Sequence, residues 1–236
     1  MPATLYLLPT PLAEDTAPQV LPPQLLAAVA ALPYFLAENA RTARRFVKSV
    51  ASARIIEDIR FTVIDKDSTD AEVRAALVPL VKEGIDGGIL SEAGCPGIAD
   101  PGAALVREAH RLGLRVVPLV GPSSLLLALM ASGLNGQQFA FHGYLPIEKA
   151  PRIAAIKTLE REGQQRQQSQ LFIETPYRNG ALFADLVAQL QPGTRLCVAA
   201  DVTGAGEFIK TLPVSDWRRL PAPELHKIPT VFVIGT

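Results

Sequence analysis

Short apolar runs and helical periodicity take turns along the first half of the chain. "TLYLL" (4–8), "YFLAE" (34–38), "FTVID" (61–65), "GGILS" (87–91) and "RVVPLV" (115–120) have the length and apolar character of strands. Between them stand "PQLLAAVAAL" (23–32), "ARTARRFVKSV" (40–50), "DAEVRAALVPLVKEG" (70–84) and "GAALVREAHRLG" (102–113), which read as helices. Asp70 stands where a cap belongs, and Gly84 and Gly113 are stop signals. A further helix begins near Ser123. Strict alternation, with strands apolar on both faces, predicts a parallel sheet covered by helices on either side. Ligands of such sheets sit at the carboxyl ends of the strands.

"SGLNGQQ" (132–138) reads as the link to a second unit. There follow "FAFHGYL" (139–145), a helix over about 148–162 and a polar "QQRQQSQ" loop (164–170). Next come "LFIET" (171–175), a helix from about 177 to 190, and "RLCVAAD" (195–201). "EFIKTLP" (207–213) reads as a hairpin arm and "IPTVFVIG" (228–235) as the last strand. The expected organisation is two α/β domains, 1–133 and 138–236, with a parallel first sheet and a mixed second one.

Composition adds limits. The chain has 236 residues, 48% hydrophobic, enough to bury a large core. Its formal net charge is zero, so any RNA contact must come from a local patch rather than bulk charge. Cys95 and Cys197 fit no metal-ligand spacing, which leaves no metal site expected and suits a reducing, cytoplasmic setting. "MPATLYLLPTP" does not read as a signal peptide. The longest apolar run, Val116 to Leu134, is broken by Pro118, Gly121, Pro122 and two serines. It reads as a buried strand, a turn and a helix rather than a membrane span.

Three loops stand at predicted strand ends: "PTP" (9–11), "EAGCPG" (92–97) and "GPSS" (121–124). Glycine bares the main chain to a ligand, and proline stiffens the loop before the ligand arrives. Rigidity of that kind favours binding. The serines of "GPSS" open a helix, where free N–H groups favour an anion. No phosphate-loop or dinucleotide fingerprint is present. The plain alternative is three tight turns in a proline-rich protein.

"TLYLLPTPL", "AENARTARRF", "SEAGCPGIADPG", "VVPLVGPSSLLLALMASGL", "FAFHGYLP" and "LFIETPYR" follow the order and spacing of the tetrapyrrole methylase superfamily. Within it the chain most resembles the branch of small-subunit ribosomal RNA cytidine 2′-O-methyltransferases. The resemblance implies two α/β domains, S-adenosylmethionine in a cleft between them, and a homodimer. It places Pro9 and Thr10 at the cleft floor, and Gly94, Cys95, Pro96 and Ile98 in the glycine-rich cofactor loop. Ser123 and Ser124 match the pair that contacts the methionine part, and Thr175, Ala199, Ala200 and Pro229 enclose adenine and ribose. Typical branch members have aspartate at Glu92, threonine at Cys95, and an Asp-Thr pair at Asn39 and Ala40. The chain also ends at Thr236, before an extra segment that many members carry. The cofactor site is therefore expected intact and the acceptor site altered.

Methyl transfer from a sulfonium needs chiefly in-line placement of the acceptor. A hydroxyl acceptor must also lose a proton, which a nearby carboxylate assists. Glu38, Glu92, Asp100 and Glu174 are the carboxylates near strand ends, and Glu92, which opens the cofactor loop, leads. Glu92, Glu38 and Arg41 are thus the candidate catalytic residues. Asp100 has a plain alternative as a helix cap, and Glu38 with Arg41 as a structural ion pair. Arg41, Arg44, Arg45 and Lys48 form a basic run, read either as a solvated helix face or as a phosphate-tracking patch. Arg178 would meet a substrate phosphate or a neighbouring carboxylate, and His142 reads as a satisfied, half-buried histidine. The leading expectation is methylation of a ribose 2′-hydroxyl in small-subunit ribosomal RNA. The alternatives are a small-molecule acceptor such as a tetrapyrrole, and an idle relative kept as a binding module.

Overall fold

A computed structural model describes residues 3–235. Its contacts divide the chain into two units, Met1–Ser123 and Ser124–Thr236. In the first unit the strands are β1 (Thr4–Leu8), β2 (Tyr34–Ala37), β3 (Arg60–Val63), β4 (Gly87–Leu90) and β5 (Arg115–Pro118). Its helices are α1 (Ala17–Val20), α2 (Pro23–Ala31), α3 (Ala40–Val50), α4 (Asp70–Ala76), α5 (Val78–Glu83) and α6 (Gly102–Arg111). The strands form one sheet in the order β3-β2-β4-β1-β5, with every pair parallel.

The burial pattern explains the sheet. The interior strands β2 and β4 are buried along their whole length, whereas the edges β3 and β5 are half exposed. Tyr34 and Leu36 point into one core layer, and their neighbours Phe35 and Ala37 into the other. Both faces are thus covered, as a parallel sheet requires. The chain leaving β1 runs to β2, while the chain leaving β4 runs to β5 on the opposite side. A topological switch point therefore falls at the adjacent carboxyl ends of β1 and β4, where ligands of open α/β sheets bind.

The helix expected over 70–84 is two helices. Leu77 both ends α4 and caps α5, and Pro79 stands in the first turn of α5, where its missing N–H breaks the ladder. The cap is Thr69, closed into a box with Glu72, not Asp70. Gly84, at φ 69°, ends α5 as expected.

The second unit contains α7 (Ser124–Ser132), β6 (Phe139–Tyr144), α8 (Lys149–Arg166), β7 (Ser169–Ile173) and α9 (Asn179–Gln189). It continues with β8 (Arg195–Ala200), β9 (Phe208–Pro213), α10 (Val214–Trp217) and β10 (Thr230–Gly235). Its sheet runs β6-β7-β10-β8-β9 and is mixed: β6 and β7 are parallel, the other pairs antiparallel. Helix α7 packs on β8, β9 and β10, so it belongs to this unit and not to the first. The division accordingly falls before α7, not at the polar "SGLNGQQ" link. The stretch expected as a polar loop over 164–170 instead supplies the end of α8 and the start of β7. Glutamine and arginine are good helix formers, and the turn between the two needs only Gln167 in the left-handed region. Among the described residues no helix is long and apolar enough to cross a membrane.

Candidate functional site

The three loops singled out in the sequence meet at the carboxyl ends of β1, β4 and β5 and are locked to one another. Thr10 and Gly94 form an isolated antiparallel bridge, with N–H to O distances of 3.0 and 3.1 Å in the two directions. The Thr10 hydroxyl also donates to the Ser91 carbonyl at 3.1 Å. The third loop joins through Pro122, whose carbonyl accepts from the Cys95 thiol at 3.3 Å. Gly121 lies so close to Pro9 that a Cβ there would stand 2.3 Å from the proline Cβ.

Gly94 sits at φ +76°, a region that side-chain-bearing residues seldom enter. A Cβ there would meet Leu12 at 3.1 Å and the Pro122 carbonyl at 3.5 Å. Sequence reasoning assigned this bareness to ligand contact; the structure gives it first to the loop's own backbone. Ala99, without glycine's freedom, is held at φ 60°, a conformation costing about 1–2 kcal/mol. Asp100 fastens that segment, its Oδ1 accepting from Gly97 N at 2.5 Å and Gly102 N at 2.9 Å. It thus braces the loop against the start of α6, which is its plain structural role, and it is not free as a base.

Beside the loops lies a pocket of ≈ 640 Å³, built wholly from the first unit. Leu12, Phe46, Thr42 and Arg45 line it together with Ser91 and Glu92. Glu92 lies at the surface, yet its carboxyl is pushed above the usual carboxylate range. Partial desolvation is the main cause; a hydrogen bond with Thr42 opposes it, and the charge of Glu38 adds to it. Glu38 and Glu92 are therefore brought near one another. Arg41 is not paired with Glu38: among the described residues no such ion pair forms. Asn39 caps α3, accepting from Arg41 N at 2.9 Å and Thr42 N at 3.3 Å. Burial, with the Asp100 charge, pushes the Cys95 thiol up, so it is a neutral donor rather than a nucleophile. Leu12, Thr42 and Phe46 escaped sequence reasoning; only the placement of α3 beside the β1 loop reveals them.

Of the residues expected in the cofactor loop, Gly94 and Pro96 are buried, Cys95 is half-buried and Ile98 is 53% exposed. Pro9 and Thr10 are buried beneath, and Ser123 follows Pro122 in the third loop. In the second unit, Ser124 begins α7 and Thr175 follows the end of β7. Ala199 and Ala200 occupy the last two positions of β8, both buried, and Pro229 is exposed just before β10. Thr175, Ala200 and Pro229 share one end of the sheet, since Ala200 pairs with Thr230 and Ile173 with Val231. Glu174 Oε1 accepts from Thr175 N at 2.6 Å and from Arg178 Nη2 at 2.5 Å, while its buried Oε2 has no partner among the described residues. Arg178 thus meets a neighbouring carboxylate. His142 is satisfied by Gln170 at 2.6 Å.

No protein-family profile matches the chain. It is 32% identical over 203 residues to "Ribosomal RNA small subunit methyltransferase I" of Mycobacterium bovis, covering 85% of this chain and 66% of that protein. The proteins of the same name from Pseudomonas aeruginosa and Escherichia coli O157:H7 are 32% and 33% identical over 64% of this chain. The chain's match spans about half their length, 53% and 51%. Among solved structures, the methyltransferase CobJ has a TM-score of 0.63 at 20% identity, covering 99% of this chain and 93% of its own. Uroporphyrin-III-C-methyltransferase from Thermus thermophilus has a TM-score of 0.55 at 19% identity, covering 100% and 93%. The structures share the fold, and the relatives share about a third of the aligned sequence: the chain belongs to the tetrapyrrole methylase superfamily.

Proposed function

We propose that the chain is an S-adenosylmethionine-dependent methyltransferase that modifies a ribose 2′-hydroxyl of small-subunit ribosomal RNA. We take it to act in the cytoplasm as a homodimer, as the resemblance implies. The observation that carries the reading is the lock of three loops at the switch point, closed by the Thr10–Gly94 bridge. The names of the relatives support the substrate.

The residues fit a nucleoside cofactor. The loop offers rigid main chain, one exposed apolar side chain at Ile98, and open space at Gly97, where an added Cβ would find nothing nearer than 3.8 Å. Pro9, Thr10, Gly94, Cys95, Pro96, Ile98 and Ser123 are the proposed contacts on the first unit. Ser124, Thr175, Ala199, Ala200 and Pro229 are those on the second. S-adenosylmethionine, when bound, supplies a methyl group already activated on a sulfonium. The protein's part is then to hold the acceptor in line and accept its proton. Glu92 is the proposed proton acceptor: it lines the pocket that adjoins the loop, and partial desolvation, opposed by Thr42 and aided by Glu38, raises its carboxyl.

The decisive assay is transfer of labelled methyl from S-adenosylmethionine into methyl-deficient small ribosomal subunits. Label in the RNA supports the reading. Unlabelled RNA with normal cofactor binding would hand the site to a small-molecule acceptor, and no cofactor binding at millimolar concentration would leave an idle module.

Two further outcomes are expected. Gly94→Val should abolish cofactor binding in calorimetry while the circular dichroism spectrum stays native. A branched side chain at φ +76° must break the Thr10 bridge, but that bridge lies outside both core layers. Unchanged affinity would refute this. For Glu92, the raised value puts the acid limb of the pH–rate profile above the ordinary carboxylate range. Below that limb the carboxyl is neutral and accepts no proton. Stability has the matching sign: as pH rises, the unfolded chain gives up this proton before the folded one, so ionising Glu92 opposes folding. Glu92→Gln should remove the limb and slow transfer roughly 10²- to 10⁴-fold. A limb that survives the substitution belongs to another group.

A further inference from the structure

From Ala40 to Ile56 the chain carries five cations and no acid: Arg41, Arg44, Arg45, Lys48 and Arg54. The structure sorts them. Lys48 donates to the carbonyls of Ser52 and Arg54 at 2.9 and 3.3 Å, and Arg54 to those of Val29 and Leu32 at 2.9 and 2.7 Å. Those two hold the end of α3 and the chain beyond it. Arg41 and Arg45 are exposed and have no acidic partner among the described residues. Arg44 also lacks one; its guanidinium lies 5.4 Å from the centre of the Phe61 ring, and Phe61 in turn stacks on Phe35 at 5.6 Å.

Helix α3 separates two depressions of the first unit. Arg45 lines the pocket that holds Glu92. Arg44 and Phe61 line a second groove of ≈ 610 Å³ along β3, the open edge of the sheet. On a helix Arg41, Arg44 and Arg45 stand three and four positions apart and share one face. An anion bound by Arg45 is therefore at the pocket, and one bound by Arg41 is on the ridge beside it. Arg44 is exposed with its guanidinium over the Phe61 ring, a placement that suits stacking by a planar base.

We propose that α3 carries a single-stranded RNA track. The backbone of the acceptor strand crosses the ridge on Arg41 and Arg45, and a neighbouring unpaired base stacks on Arg44 over Phe61. A duplex does not fit this arrangement, because its bases are occupied in pairing. An acidic polypeptide satisfies the cations but leaves the stacking platform unused. The track rests on the RNA reading above for its biological substrate, though its binding is measured without cofactor or chemistry.

The test uses the full chain and a labelled, unstructured oligoribonucleotide decamer, with affinity followed against salt. Each phosphate neutralised on a single strand contributes about 0.7 to the slope of log K against log salt. The double variant Arg41→Gln/Arg45→Gln should therefore lose roughly 1.4 of that slope. Phe61→Leu should weaken binding roughly tenfold at every salt concentration and leave the slope unchanged. Arg166→Gln, which removes one charge at an exposed site on α8, should change neither. Melting curves confirm that each variant is folded. The track is overturned if the double variant keeps the wild-type slope, if Arg166→Gln loses as much, or if polyglutamate or a duplex competes as well as the decamer. Methylation separates the two readings. A slope lost in the double variant, with wild-type protein that leaves methyl-deficient subunits unlabelled, keeps the track and loses the methylation reading. A double variant that labels subunits with unchanged KM loses the track and keeps the methylation.

Discussion

Replacing Gly121 by alanine is expected to weaken S-adenosylmethionine binding about 100-fold or more while the chain still folds. The added methyl would stand 2.3 Å from Pro9 Cβ and 2.7 Å from its Cγ. Comfortable carbon contacts lie near 3.5–4.0 Å, so one loop must retreat by more than about 1 Å. The proline ring has no rotamer through which to swing aside, and Pro9 is buried. The displacement therefore passes into main chain. On one side it moves the Thr10–Gly94 bridge; on the other it moves the Pro122 carbonyl that accepts from Cys95. A shift of that size in a positioning surface costs on the order of 100-fold. The stability loss should stay within the 1–3 kcal/mol typical of overpacking, since the clash lies above the sheet. Gly136→Ala is the control, because a Cβ at Gly136 meets nothing within 4 Å. Calorimetric affinity equal to wild type in Gly121→Ala would mean that the loops do not act as one surface.

The sheet was legible because its strands are apolar on both faces, and such runs have few other ways to fold. Two of the misjudged boundaries share a cause: local pattern lost to backbone chemistry or to packing. The periodicity of 70–84 is continuous across Leu77, and only the missing N–H of Pro79 divides it. Helix α7 is apolar all round, so its sequence carries no stripe to say which sheet it would join. The loops were legible for the opposite reason: glycine and proline have specific backbone consequences that composition cannot hide. What the sequence could not show was which partner each polar group would take. Asp100 was equally readable as a base or a cap and is a brace. Arg41 and Lys48 look alike in "ARTARRFVKSV", yet Arg41 has no acidic partner among the described residues and Lys48 is tied to two carbonyls. Glu174 carried the same signal as Glu92 but is bound to Arg178. Such distinctions arise from contacts distant in sequence, or from loop conformations that composition does not specify.

The largest effect on stability is expected in the second unit, at a pair that sequence reading passed over. Arg152 of α8 and Asp185 of α9 are both buried, and Asp185 Oδ2 accepts from Arg152 Nε at 2.8 Å and Nη2 at 2.6 Å. The third guanidinium nitrogen donates to the Ile147 carbonyl at 2.6 Å. With side-chain exposures of 10% and 12%, neither charge has water to fall back on. Removing one partner therefore strands the other, and Arg152→Met should cost about 3–5 kcal/mol in urea denaturation. The double variant Arg152→Met/Asp185→Leu should recover most of that loss, because two apolar side chains of similar bulk leave no charge to desolvate. The contrast between single and double variants separates the penalty of an orphaned carboxylate from the worth of the pair. A single variant losing less than about 1 kcal/mol would show that Asp185 finds another donor. A double variant as unstable as the single would show that the pair fixes the α8–α9 contact by geometry and not by charge balance.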